Sequence, residues 1–350
     1  MLIKEIINKF DKSNIKAGDG CSFGKYPLYT CSSIVNKYLD TYLVDDEALI
    51  LSTGGNFSIH YVNGKFNYST DCYVFNTNEF NLKYIYYYLI SRSEDINKMF
   101  RGAGLKHLNK NEFLLLNIQE KSKEEQNKIV SSLDSISSLI SIKKEEIEKC
   151  DNLIKSQFVE MFGDVKNSKY KKDYLSNLTL KITDGKHGGC KSENNSGYYF
   201  IGATEIYNNK INYDGCNQIT EEDFNKDYKR CDLQKNDFVI VNTGATIGKS
   251  AIVTDDRCYK TLLQKSVALI RTDEKNLLPL YLKYCYDSEP SLYNVGQGCA
   301  RVNLLLSQIR KTLIPVPPIE LQNKFSNFVE QIDKQKFIIV LIIQKMTEIC

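Results

Sequence analysis

Apolar residues recur in two stretches of this chain at alternating steps of four and three. In the first stretch they are Ile129, Leu133, Ile136, Ile140, Ile147, Cys150 and Ile154, with Lys143 in the same series. In the second, Phe325, Val329, Ile332, Lys336, Ile339, Ile343, Met346 and Cys350 repeat those steps 196 residues later. Steps averaging three and a half residues keep side chains on one stripe of a helix, so each stretch is a coiled-coil seam. Lys143 corresponds to Ile339, and Lys336 to Ile140. A charge in a seam costs stability and restricts register, so each helix is written for a particular partner. An antiparallel intramolecular pair is the simplest closure. From Phe337 to Ile343 the second helix is apolar almost all round, which predicts cover by more than one neighbour.

The repetition extends upstream of the seams. The helices open with EEQNKI (124–129) and ELQNKF (320–325). Before them lie GAGLKHLN (102–109) and GQGCARVN (296–303), offset by 194, and farther back ALILSTGG (48–55) and FVIVNTGA (238–245), offset by 190. An offset that drifts by a few residues across loops is the mark of a duplicated domain, and the period is too long for a solenoid. The expected organisation is a first mixed β/α domain over 1–118, a long helix over 119–165, a second domain over 166–315 and a second long helix over 316–350. The fold class is α+β: two duplicated domains separated by two long helices that pair as an antiparallel coiled coil.

Strands are expected at EALILS (47–52), FSIHYV (57–62) and CYVFN (72–76), with VNGK (62–65) as a turn. In the second domain they are expected at YYFIGA (198–203), DFVIVNT (237–243), SAIVTD (250–255) and SVALIRT (266–272). A tyrosine-rich helix is predicted over 81–100, stopped at Gly102, with a shorter counterpart over 277–287. Ser122 and Glu125 fit the capping box of the first long helix, which Gly163 ends. Pro317 and Pro318 suit the first turn of the second long helix. Forty residues at ~1.5 Å each make a rod of roughly 60 Å.

Hydrophobic residues make up 42% of the 350, enough for ordinary cores. MLIKEIINKF mixes charge with apolar residues instead of offering a signal sequence, and FIIVLII (337–343) is too short to span a bilayer. Eleven cysteines without a C-x-x-C pair read as reduced thiols in a cytoplasm. His60, His107 and His187 lie too far from paired cysteines to suggest a metal site. The net charge of +3 is uneven: residues 1–118 carry 13 basic against 12 acidic residues, 166–315 carry 22 against 17, and the helical segments 11 against 14. A polyanion would meet the two domains, the second more readily.

GATIGKS (244–250) resembles a phosphate-binding loop but has three residues, not four, before its Gly-Lys pair, and a strand follows where a helix should. The plainer reading is a β-hairpin turn offering Thr243, Thr246 and Lys249 as donors. TDGKHGG (183–189) places Lys186 and His187 in a glycine-rich loop able to approach a nucleic-acid backbone; the alternative is an ordinary polar turn. GQGCARVN offers Arg301 and Asn303, and GAGLKHLN offers Lys106, His107 and Asn109. Arginine reads guanine and asparagine reads adenine in the major groove, while asparagine equally caps a following helix. Tyr84, Tyr86, Tyr87 and Tyr88 either stack on bases or pack in the core. No methyl-donor loop, Asn-Pro-Pro-aromatic segment, helicase signature or serine elbow is found, so the chain reads as a binder without cofactor, metal or catalytic residues.

Taken together, ITDGKHGG (182–189), VNTGATIGKSAIV (241–253), GQGCARVN (296–303) and LIPVPPIELQNKF (313–325), with their copies in the first half, resemble the specificity subunit of type I restriction-modification systems. The resemblance covers nearly the whole chain. It implies two target-recognition domains, each reading one half of a split site in double-stranded DNA, with the helices as a ruler. It also implies a non-catalytic, cytoplasmic subunit that recruits two adenine methyltransferase subunits and, in restriction complexes, two ATP-dependent restriction subunits. The first domain departs from the pattern: Asp19 to Thr53 spans 34 residues, against 59 from Asp184 to Thr243. Two other classes stay open on the residues alone, a coiled-coil scaffold joining protein partners without DNA, and a nucleotide hydrolase using GATIGKS.

Overall fold

A computed structural model describes residues 1–293 and 303–349. The chain divides into two compact units, Met1–Lys144 with Ile342–Cys350, and Glu145–Leu341.

The first unit opens with α1 (Ile3–Ile6) and β1 (Asn8–Lys9), followed by β2 (Tyr26–Tyr29), β3 (Tyr38–Leu39), β4 (Val44–Ser52), β5 (Ile59–Tyr68) and β6 (Cys72–Asn76). These strands form one sheet in the order β1-β6-β4-β5-β2-β3. Next come α2 (Leu82–Ser91), α3 (Ser93–Asn97), the small pair β7 (Phe100–Arg101) and β8 (His107–Leu108), α4 (Lys110–Leu114) and α5 (Lys123–Phe162), whose later part belongs to the second unit. β4 is buried on both faces, which is why ALIL reads as a continuous apolar run. Leu49 and Leu51 pack with Leu82, Ile85 and Leu89 of α2, while Ala48 and Ile50 face Phe66, Tyr68 and Val74.

The second unit contains β9 (Lys172–Tyr174), β10 (Thr179–Asp184), β11 (Tyr199–Ile201), β12 (Ile206–Tyr207), β13 (Lys210–Ile211), α6 (Glu221–Cys231), β14 (Phe238–Val241), β15 (Ser250–Ile252), β16 (Thr261–Leu263) and β17 (Val267–Thr272). After them come α7 (Pro279–Ser288), α8 (Leu306–Lys311), β18 (Leu313–Pro315), which pairs with β9, and α9 (Ile319–Ile349), whose last part, from Ile342, belongs to the first unit. Its main sheet runs β10-β17-β14-β15, antiparallel throughout. That is the order of β1-β6-β4-β5, also antiparallel, so the duplication read from sequence is a duplication of topology. β14 again alternates inside the protein: Phe238 and Ile240 pack with α7, Val239 and Val241 with the opposite core.

Within the second unit the two long helices run antiparallel. The Phe158 and Phe325 rings lie 5.4 Å apart, and Lys336 Nζ stands 2.6 Å from Asp151 Oδ1, so partner numbers fall on one helix as they rise on the other. Every described seam position of both helices is buried or half-buried, as the heptads require. Ser122 and Glu125 cap α5 reciprocally, with Ser122 N donating to Glu125 Oε2 at 2.9 Å and Glu125 N to Ser122 Oγ at 3.2 Å. Gly163, with φ +73°, ends the helix in the left-handed conformation expected of its C-terminal glycine.

Three expectations fail locally. VNGK is no turn: β5 runs straight through it, Asn63 and Gly64 pairing with Glu47 and Asp46. An Asn-Gly turn needs its own flanks to pair with each other, and here both flanks pair with the long β4. The helix over 81–100 breaks at Arg92, after Ser91 Oγ turns back to donate to Tyr88 O at 2.8 Å. The apolar belt of α9 is not covered all round, since Phe337 is 62% and Ile338 56% exposed.

Candidate nucleic-acid interface

In the second unit, segment 264–267 draws two of the predicted loops to one edge of the sheet. Gly185 N donates to Val267 O (3.1 Å), Lys265 N to Lys186 O (3.0 Å), and Asn242 N to Ser266 O (2.9 Å). The TDGKHGG loop and the GATIGKS turn are thereby held on either side of this segment. A Cβ on Gly185 would lie 2.2 Å from Leu263 O, so only glycine permits that approach.

GATIGKS is a hairpin turn: β14 enters, antiparallel β15 leaves, and no helix follows. Gly244 and Gly248 take φ of +105° and +93°, the left-handed values a tight turn needs. Thr243 forms a β-bridge with Asn303, and Leu304 N donates to Asn242 O at 2.8 Å, so Asn303 stands beside the turn. Lys249 and Asn303 are exposed, and Thr243 and Thr246 half-buried. Arg301 and most of GQGCARVN lie outside the described residues.

Lys186 is held rather than presented. Its Nζ lies 2.6 Å from Asp227 Oδ2 on α6, and that hydrogen bond raises the ammonium pKa despite desolvation. His187 is exposed, with Nε2 3.4 Å from Asp184 Oδ2. The same aspartate receives Arg230 of α6, whose Nε also donates to Asp184 O at 3.0 Å. Lys191 N donates to Asp223 Oδ2 at 2.7 Å and, as the first cause, keeps that carboxyl below its usual range. α6 thus holds the loop at Asp184 and Lys186, and the chain just beyond it at Lys191. This helix was absent from the sequence expectations, although Thr220 with Asp223 three residues on is a capping signal and Thr220 does accept from Asp223 N.

The first unit places its candidates on the equivalent edge. Gly54 bridges His107, Gly55 N donates to Lys106 O at 2.9 Å, and Leu108 N to Thr53 O at 3.0 Å. Lys106 and His107 are exposed. Asn109 caps α4 through Glu112 N, the second of the two roles open to it. Ahead of the matching strands β4 and β14, the first unit has only β2 and β3 after Asp19, whereas the second has β11, the β12–β13 hairpin and α6 after Asp184. The 25-residue shortfall is thus α6 and its neighbours. Of the four tyrosines, Tyr84 is in the core, and Tyr87 donates to Asp134 Oδ1 at 2.7 Å. No cluster of metal-ligating residues occurs among the described residues, and no helix is long and apolar enough to cross a membrane.

Two copies of one sheet-and-helix module, each with basic loops on the same sheet edge and each feeding a long helix, define a protein built by internal duplication. The chain belongs to the family described as the type I restriction modification DNA specificity domain, whose model matches residues 1–151 and 181–345. It is similar to the EcoDI specificity subunit of Escherichia coli (24% identity over 147 residues, 42% of this chain) and to the EcoBI specificity subunit of the same organism (27% over 139 residues, 39%). Those matches span only 33% and 28% of the relatives' lengths. The fold is shared with the S subunit of the type I system of M. genitalium (TM-score 0.57, 15% identity, covering 100% of this chain and 92% of that one). It is shared equally with a chain from a study of complex assembly and conformational transition in the type I system (TM-score 0.56, 15% identity, covering 100% and 94%).

Proposed function

We propose that this chain reads a bipartite site in double-stranded DNA, one half with each unit, and carries no catalysis of its own. In this reading residues 1–118 and 166–315 are the reading modules, and 119–165 and 316–350 are the helices that set their spacing. The observation that carries it is the gathering of the 183–189 loop, the 242–249 turn and Asn303 at one sheet edge, repeated in the first unit by Thr53, Lys106 and His107. Exposed Lys249, Lys265 and His187 supply donors there, suited to phosphates and to base edges. The subunit works in the cytoplasm, positioning two adenine methyltransferase subunits and, in restriction complexes, two ATP-dependent restriction subunits. The exposed Phe337 and Ile338 on α9 suit such docking.

The test is selection of bound duplexes from a random DNA pool by the full chain. Two short conserved blocks at a constant gap are expected, a base pair rising ~3.4 Å. Enrichment of one contiguous block, or none, contradicts the reading.

A further inference from the structure

Three lysines of the first unit gather round one ring. Lys9 Nζ lies 5.6 Å and Lys110 Nζ 5.5 Å from the centroid of Tyr73, a buried side chain. Lys12 completes the group: the Lys110 ammonium has its pKa lowered, first by desolvation and then by the charges of Lys9 and Lys12. The negative face of the ring offsets part of that repulsion. Among the described residues none of the three has a carboxylate partner, whereas Lys65, Lys83, Lys98 and Arg101 of the same unit each have one. All three lysines are exposed.

The group adjoins the candidate interface. Lys110 follows Leu108 and Asn109; Leu108 N donates to Thr53 O at 3.0 Å, and Thr53 N donates in turn to Asp71 O at 2.9 Å, two residues before Tyr73. β1 occupies in the first sheet the place that β10 occupies in the second, so Lys12 lies just beyond β1 as Lys186 lies just beyond β10. The two lysines differ in what they face. Lys186 is paired with Asp227 of α6, whereas the first unit carries β2 and β3 where α6 would fall. Like charges held together without a counterion cost energy that an arriving anion returns.

We propose that Lys9, Lys12 and Lys110 grip the DNA backbone at the first half-site, binding phosphate beside Tyr73 and so fixing how the first unit sits on the duplex. Phosphate contacts position a reader without carrying sequence information, so this group sets affinity and orientation while bases are read elsewhere on the edge. The inference deepens the DNA reading proposed above and rests on it.

The experiment is equilibrium binding of the full chain to its selected duplex and to a scrambled duplex over a salt series. Lys9→Met, Lys12→Met and Lys110→Met together keep the stems over Tyr73 and remove the charges. This variant should lower the slope of log affinity against log salt by about two to three and weaken binding to both duplexes at least about tenfold, with the selected motif unchanged. Arginine at the three positions should retain the slope, and the methionine variant should unfold no earlier on heating, since repulsion is relieved. Lys144→Met, Lys149→Met and Lys155→Met, at exposed positions of α5, should together move the slope by less than about one. An unmoved slope in the methionine variant, while the wild-type chain still selects a split site, overturns this proposal alone. A wild-type chain that selects no split site overturns the DNA reading and this proposal with it. The proposal also falls if the α5 variant loses as much slope, if the methionine variant unfolds earlier, or if its selected motif changes. It falls too if inorganic phosphate delays unfolding of the wild-type chain alone while the DNA slope stays fixed, since a free anion would then be the occupant.

Discussion

The side chain of Gln126 does in the first unit what Gln322 does in the second. Each is buried at the start of a long helix, accepts the backbone N–H that opens the tyrosine-bearing helix, and donates to a carbonyl five residues earlier in its own chain segment. For Gln126 the partners are Asn81 N (2.8 Å) and Lys121 O (2.8 Å); for Gln322 they are Leu278 N (2.9 Å) and Pro317 O (2.9 Å). The glutamine thus ties the start of each long helix to the tyrosine-bearing helix of its own unit.

Replacing either glutamine by alanine orphans buried backbone groups. Gln126→Ala and Gln322→Ala should each destabilise by about 1–3 kcal/mol, read from urea midpoints at unchanged slope. Gln322→Ala should cost more, because Gln322 also donates to Asn276 O at 3.0 Å.

The aromatic cluster of the second unit should respond more strongly to truncation than the half-buried seam of the first. Phe158 is 1% exposed among four rings, so Phe158→Ala should cost about 3–5 kcal/mol. Ile129→Ala, at a half-buried seam position, should cost less than half as much. Denaturant unfolding of the two variants decides this.

Much of this was legible in the sequence because the chain states it twice. The two helices, their caps, the central strands and the GATIGKS hairpin all follow from period, capping residues and repetition. The failures have local causes. Asn63-Gly64 looked like a turn because nothing in the sequence reveals that β4 is long enough to pair on both sides of it. α6 was missed because EEDFNKDYKRC is mostly charged and buries only Phe224 and Cys231, leaving little periodicity to detect. The hold of Asp227 on Lys186 is a contact across 41 residues, which spacing cannot show.

Buried tyrosines make the fold sensitive to alkali. Burial, the largest cause, pushes the Tyr286 hydroxyl up to about 12, and Tyr87 likewise to about 12 with a further push from Asp134. A raised value means that the neutral phenol is favoured in the folded state. Its stabilisation is fully present below pH 10, the ordinary tyrosine value, and is lost as pH climbs toward 12. Tyrosinate absorbance should therefore show a late-titrating class, and stability should fall between pH 10 and 12.

On the proposed DNA-reading function, the contacts of α6 with the 183–189 loop predict different outcomes for two substitutions. Lys249→Ala, at an exposed turn, should weaken binding to all sequences and lower the salt slope by ~1. Asp227→Ala should instead release Lys186 and alter selectivity for one half-site, with the salt slope unchanged or raised. Filter binding of matched and mismatched duplexes over a salt series distinguishes the two outcomes.

The most direct test of bipartite reading is adenine-methylation mapping in cells that express this chain with the methyltransferase of its system. A split motif with a constant gap is predicted, and replacing the loops 183–189 and 242–249 with those of another specificity subunit should change one half and leave the other half and the gap intact. An unsplit motif, or a change in both halves, would contradict the account.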